Sequence, residues 1–190
     1  MAVLNSTHGE RIAELLDRIG RAAHCLQFAE GLNPAQWETL RYLARANRLS
    51  RTPTALADYL GTTKGTVSQT LRALEAKGYV RREKRNCDRR SVWLDLTDEG
   101  RTVLRRDPMI RLERAAGILP EDLGGLLADG LASLLRGLKS DCGGREFGVC
   151  RQCGHQVEME GGQARCGLTG DALATEDRGR ICVDFHADPR

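Results

Sequence analysis

Aromatic side chains are scarce in this sequence: three Phe, three Tyr and two Trp, 4% of 190 residues. A core so poor in rings has to be filled by Leu, Ala and Val, which favours helices over a pair of packed sheets. No apolar run approaches the roughly 20 residues that span a bilayer. Met1 to Glu10 also lacks the basic-then-apolar layout of a secretory leader. The expectation is a cytoplasmic chain without a membrane partner. Thiols stay reduced in that compartment, so seven cysteines argue for metal or redox chemistry rather than structural disulfides. There is no internal repeat.

What is present is one domain's worth of chain with a small appendage. Hydrophobic residues make up 41% and charged residues 29%, with a formal net charge of +3. The charge is unevenly spread. Residues 141–190 hold six Lys/Arg against nine Asp/Glu, so they carry −3 and residues 1–140 carry +6. A basic body suits a polyanionic partner, and an acidic tail does not. The division expected is a helical body over 8–140 and a cysteine-rich extension over 141–190.

Apolar residues at three- and four-residue steps from Ile12 to Leu26 predict a first amphipathic helix over 10–26. Gly31 stops it, and Pro34 opens a second helix with Trp37, Leu40 and Leu43 inward. Thr52-Pro53 starts a short helix that closes at Gly61. Thr62 or Thr63 caps the next helix, which runs to Lys77 and stops at Gly78. Two helices joined by so tight a turn make a helix-turn-helix. Residues 79–84 and 91–96 then predict a hairpin around the polar turn 85–90. Thr97 caps a further helix that Asp107-Pro108 interrupts. Pro120 begins a last helix with Leu123, Leu127, Leu131, Leu134 and Leu138 on one side. Two terminal helices with broad leucine stripes exceed what so small a body can cover, so a second subunit is expected against them.

The start of the second helix-turn-helix helix is polar. Thr62, Thr63, Lys64, Thr66, Ser68 and Gln69 lie in its first turns, with Gly65 among them and Arg72 one turn onward. A helix lying in the DNA major groove presents these positions to base edges. Gln69 suits adenine, Lys64 suits guanine or phosphate, and Arg72 suits phosphate. The hairpin segment 81–90 carries six Lys/Arg against two acids, Arg85, Arg89 and Arg90 among them.

Over Leu32 to Leu104 the chain resembles the MarR family of winged helix-turn-helix regulators. The resemblance is carried by Leu32-Asn-Pro-Ala-Gln-Trp37, Leu56-Ala-Asp-Tyr-Leu-Gly61, Thr63-Lys-Gly-Thr-Val-Ser68, Leu74-Glu-Ala-Lys-Gly78, and Asp88-Arg-Arg90 running into Leu94-Asp-Leu-Thr97. It implies a mainly α (α+β) fold and a homodimer built from the first and last helices. It also implies double-stranded DNA as partner, read as a pseudo-palindrome, and a small-molecule effector of unknown identity. By the same resemblance Arg90 enters the minor groove and Asp88 steadies it.

The last quarter holds Cys150-Arg-Gln-Cys153, then Cys166 after 12 residues and Cys182 after 15 more. Four thiolates satisfy a tetrahedral zinc ion, and they equally suit an iron–sulfur cluster. The tail has too little apolar mass to fold without a crosslink. A short helix over 175–185 is expected to carry Cys182, with His155 and His186 outside the ligand set. Cys25 is expected to be a buried apolar residue, and Cys87 and Cys142 to be incidental. Four sulfur ligands leave zinc no open position, and no general base stands nearby, so no enzyme is expected. The reading is a DNA-binding regulator, most simply a repressor, with a zinc-holding tail that props the dimer helices or biases wing spacing. An iron–sulfur sensor is the alternative, and a protein-interaction adaptor that docks through the tail is a further one.

Overall fold

The structure is a computed structural model. It describes residues 7–85, 88–141 and 146–187, with the backbone alone at 84–85, 88–91, 139–141 and 160. Thr7 caps α1 (His8–Leu26) in a reciprocal box: its hydroxyl accepts the Glu10 N–H, and the Glu10 carboxylate accepts the Thr7 N–H. Asn33 and Gln36 make the same box for α2 (Pro34–Arg45), with proline at its start. Thr52 caps α3 (Pro53–Leu60), which ends at Gly61 with φ of 61°. That left-handed turn is why glycine stands there. Thr63 caps α4 (Lys64–Ala76).

Strands β1 (Val80–Arg85) and β2 (Asp88–Leu96) pair antiparallel, Val80 opposite Leu96 and Lys84 opposite Val92. The strands therefore run further into the charged turn than its polarity predicted, and Arg85 pairs with Asp88. A ribbon that leaves the core has no inward face to satisfy, so charge does not stop pairing there. Thr97 caps α5 (Asp98–Leu104); α6 (Ile110–Ala116) and the long α7 (Glu121–Asp141) follow.

The core lies among α2, α3, α4, α5 and the base of the hairpin. Trp37, Leu40, Leu43, Leu56, Leu71, Leu74, Leu94 and Leu96 are its buried members. Gly100 shows how tightly α5 meets the hairpin. An added Cβ there would lie 2.1 Å from the Tyr79 carbonyl oxygen, and Thr97, three residues earlier, donates its main-chain N–H to that same oxygen. Gly100→Ala should therefore cost about 2–4 kcal/mol, at the high end for a single substitution, read as a fall in urea midpoint with unchanged slope.

α1 buries none of its residues. Ile19 is 47% exposed, and on α7 Leu126 is 72% and Leu138 63% exposed. Cys25 is exposed on α1 rather than buried as expected, because nothing in a single chain covers that helix.

The extension is a set of small sheets. β3 (Gly148–Val149) pairs with β7 (Ile181–Cys182), and β4 (Gln156–Glu158), β5 (Ala164–Cys166) and β6 (Ala172–Leu173) form a meander. Only one turn of helix, α8 (Thr175–Arg178), forms where a longer one was expected, so Cys182 sits on a strand. Ile181 is part of the main core, and Phe147 and Val183 pack against it. The extension thus docks on the connector between α2 and α3, while the leucines of α7 stay open. The boundary expected at Gly143-Gly144 lies outside the described residues.

Candidate nucleic-acid interface and cysteine site

The helix-turn-helix presents α4 by its N-terminal half. Thr63 is the N-cap, its hydroxyl accepting the Thr66 N–H at 3.1 Å and meeting the Thr66 hydroxyl at 2.9 Å. Both threonines are thus held to the helix start. Lys64, Thr66, Gln69 and Arg72 are exposed, Thr62 and Ser68 half-buried. Val67, Leu71 and Leu74 face the core and fix which side looks out. At Gly65 a Cβ would meet only the Thr63 hydroxyl, at 3.7 Å, so folding does not require glycine there. The side chains of Arg85, Asp88, Arg89 and Arg90, and the whole of Cys87, lie outside the described residues.

Charged residues that the sequence reading passed over fix the base of the wing. Asp95 on β2 accepts from Arg51 at 2.9 Å, Arg81 at 2.9 Å and Arg101 at 3.3 Å. Arg82 on β1 meets Glu75 on α4 at 2.8 Å. These pairs tie the ribbon to the connector, to α5 and to α4. The sequence signal for them was only an unremarkable charge pattern.

In the extension, a 3-10 turn over Cys150–Gln152 begins at Cys150 and is capped by Cys153, whose N–H donates to the Cys150 carbonyl at 3.1 Å. Gly154 and Gly167 donate to the carbonyls of His186 and His155, and the two imidazoles lie 5.5 Å apart. His186 therefore stands beside Cys153, not on a shared helix face with Cys182. Its main-chain N–H donates to the Cys153 sulfur at 3.4 Å. Cys150, Cys153 and Cys182 are buried and Cys166 is half-buried, all as free thiols. Cys150 feels burial first, then Cys182, Cys153 and Cys166, and its thiol is pushed up to about 11.

The fold thus brings three thiols near Cys150. Among the described residues, though, no group of three or more His, Cys, Asp or Glu side chains is close enough as it stands to hold an ion. Four sulfur donors are nonetheless the chemistry of a thiophilic metal.

Burial also raises Cys182 and Tyr42. All three acids are harder to ionise folded than unfolded. Their contribution to metal-free stability is therefore complete below the unfolded values and lost as pH rises toward the folded ones. Melting of chelated protein should hold steady up to about pH 8 and fall between about pH 9 and 11.

Comparison with known proteins places these elements. The model described as MarR family matches residues 30–91. The chain is similar to Streptococcus pneumoniae FabT solved in complex with DNA, at 27% identity and TM-score 0.57 over 69% of this chain and 97% of that one. It is also similar to a MarR transcriptional regulator from Methanosarcina mazei, at 23% identity and TM-score 0.58 over 68% and 98%. A third is the PcaV regulator of Streptomyces coelicolor with its natural ligand, at 21% and 0.53 over 72% and 98%. No curated protein matches the sequence. Those chains are covered almost completely while more than a quarter of this one is not, so part of this chain lies beyond the shared fold. MarR-family proteins are transcription regulators, not enzymes. No helix among the described residues is long and apolar enough to cross a membrane.

Proposed function

We propose that the chain is a MarR-family transcription regulator, a sequence-specific repressor that binds a pseudo-palindromic operator as a homodimer; the MarR-family model that matches residues 30–91 supports this reading. The observation that carries this is the exposed polar start of α4, held by its Thr63 cap beside a basic hairpin. Lys64, Thr66, Ser68 and Gln69 read bases; Thr62, Thr63 and Arg72 hold phosphate. Arg85, Arg89 and Arg90, with Asp88, work at the wing. The leucine stripes of α1 and α7 form the dimer, setting two α4 helices about one turn of DNA apart. A small-molecule effector acts on that dimer in the cytoplasm.

In the extension, Cys150, Cys153, Cys166 and Cys182 hold zinc. The metal supplies a crosslink that the tail's small core, Cys150, Ala164 and Leu173, does not supply by itself. A brown, iron- and sulfide-containing protein would instead mark a cluster.

Selection of bound duplexes from random DNA by the full chain, followed by anisotropy against salt, tests the first reading. A single enriched palindrome is expected. A dimer neutralising 6–10 phosphates should lose about 10³–10⁵ in affinity between 50 and 200 mM salt. Absence of enrichment, or salt-indifferent binding, overturns it.

A further inference from the structure

We infer that the extension braces the wing, with Asp177 as the positioning residue. Its carboxylate holds the 46–51 connector, and the connector in turn holds β2 at the base of the wing. The inference rests on the DNA-binding reading above and is independent of any metal.

Asp177 is 8% exposed, on the single turn of α8. A carboxylate gives up much hydration on burial and is seldom buried without partners. Here both oxygens turn to one residue of the winged-helix body. Oδ1 accepts the Arg48 main-chain N–H at 3.1 Å, and Oδ2 lies 3.6 Å from the Arg48 Nε. The same guanidinium reaches on to the Ala172 carbonyl at 3.0 Å. A buried charge thus spans the junction, through hydrogen bonds of the stronger, charge-assisted kind.

Main-chain contacts flank it. Asn47 donates its N–H to the Ile181 carbonyl at 2.9 Å, and Val183 donates its N–H to the Ser50 hydroxyl oxygen at 2.9 Å. Ala46 and Ile181 form a parallel bridge. The Phe147 ring stands edge-on to Tyr59 of α3, with centroids 5.1 Å apart. The tail therefore occupies one edge of the connector.

The wing occupies the other. The Arg51 carbonyl accepts the Leu94 N–H at 2.8 Å, and the Arg51 guanidinium meets Asp95 at 2.9 Å. Arg51 Nε returns to the Ala46 carbonyl at 3.2 Å, which ties the two ends of the connector together. From α2, the Tyr42 hydroxyl donates to the Ser50 carbonyl at 2.7 Å and pins the middle. Six residues so tied are too short to loosen at one edge and stay fixed at the other. Contiguous hydrogen-bond networks of this kind carry coupling between sites. A docked tail favours one placement of the wing base, and an undocked tail releases it.

The test is hydrogen exchange on the full chain, with the Leu94 amide as reporter, together with affinity for the duplex that the unmutated chain selects from random DNA. Asp177→Ala removes the acceptor. It should speed exchange at Asn47, Arg48 and Leu94 by about 10–100-fold, the loss expected for a hydrogen bond to a charged group. Affinity for the duplex should fall by about 5–150-fold, the span of ordinary coupling between sites. Exchange at Val67 and Leu71 of α4 should stay unchanged, which shows that the body remains folded. Asp177→Asn removes the same negative charge and keeps an oxygen for the Arg48 N–H, so it should restore most of both readouts. The pair thereby separates bracing from a simple change of charge near DNA.

If Asn47 and Arg48 exchange faster in Asp177→Ala while Leu94 does not, the tail docks without bracing the wing and the inference is overturned. If Leu94 exchanges faster but affinity stays within twofold, the link from wing base to DNA is overturned. If the unmutated chain enriches no duplex, the DNA-binding reading fails, and Leu94 still decides whether tail and wing are coupled. The unmutated protein supplies a check that needs no variant. In low urea, Asn47, Arg48 and Leu94 should open as one unit, with the same free energy and slope. Separate opening of Leu94 overturns the brace.

Discussion

Replacing Leu127 and Leu131 together by Asp should leave a monomer that has lost most of its operator affinity. On α7 these leucines are 46% and 38% exposed, with Leu123, Leu134 and Leu138 continuing the stripe. α1 adds Ile12, Leu15, Leu16 and Ile19, each at least 37% exposed. Fully burying one such side chain from water is worth about 1.5–3 kcal/mol; these are already about half covered, so each contributes part of that against the about 4–15 kcal/mol that association costs. Two carboxylates in its middle would have to leave water, which is costly for a charged group. Each monomer would then reach a single half-site. Losing the second contact removes an avidity of about 10²–10⁴, while contacts to one half-site survive. Sedimentation should give a mass near 20.9 kDa instead of twice that, and anisotropy should show the affinity loss. The melting point of the core should hardly move, because neither leucine packs in it. A variant that remains dimeric and binds with unchanged affinity would falsify the dimer reading.

What the sequence made legible was what is encoded locally. Thr52-Pro53, Thr63, Gly61 and Gly78 are caps and stops whose chemistry depends on the next three or four residues, and each appears where it was expected. The apolar stripes of α1 and α7 were legible for the same reason, since periodicity needs no knowledge of the rest of the fold, and both lie exposed. The polar residues at 85–90 predict a turn, yet β1 runs to Arg85 and β2 starts at Asp88, because polar residues do not by themselves stop antiparallel pairing. Cys25 was misplaced because an apolar face was equated with burial within one chain.

The tail was the least legible part. Asn47 and Ser50 read as ordinary loop polars, and their partners, Ile181 and Val183, stand more than 130 residues away. No periodicity carries a contact of that range. A clue did exist at Ile181 and Val183, two β-branched residues in alternation after Gly179; they argue for a strand and against the helix expected over 175–185.

Cys166→Ser should strip the metal and release the tail. Cys166 is the right cysteine to remove because it is half-buried on β5, whereas Cys182 packs against the body and Cys150 fills the tail's centre. Serine nearly preserves its volume, so packing changes little and the readout is ligand loss. Removing a ligand should exceed the about 10–100-fold affinity loss that follows removal of an outer partner. Without the crosslink, Ala164 and Leu173 are too small a core to keep residues 146–187 folded. The tail should then be cut rapidly by protease. The body would lose Ile181 from its core and the cover of Phe147 and Val183. Losing one buried aliphatic of that size costs about 2 kcal/mol, or about 4–8 °C in melting temperature for a chain of this length. Cys25→Ser, on the exposed face of α1, should change neither metal content nor protease resistance. If Cys166→Ser keeps a full metal complement and a protected tail, the sulfur set is not the ligand set, and the extension folds by its docking on Asn47 and Ser50 alone.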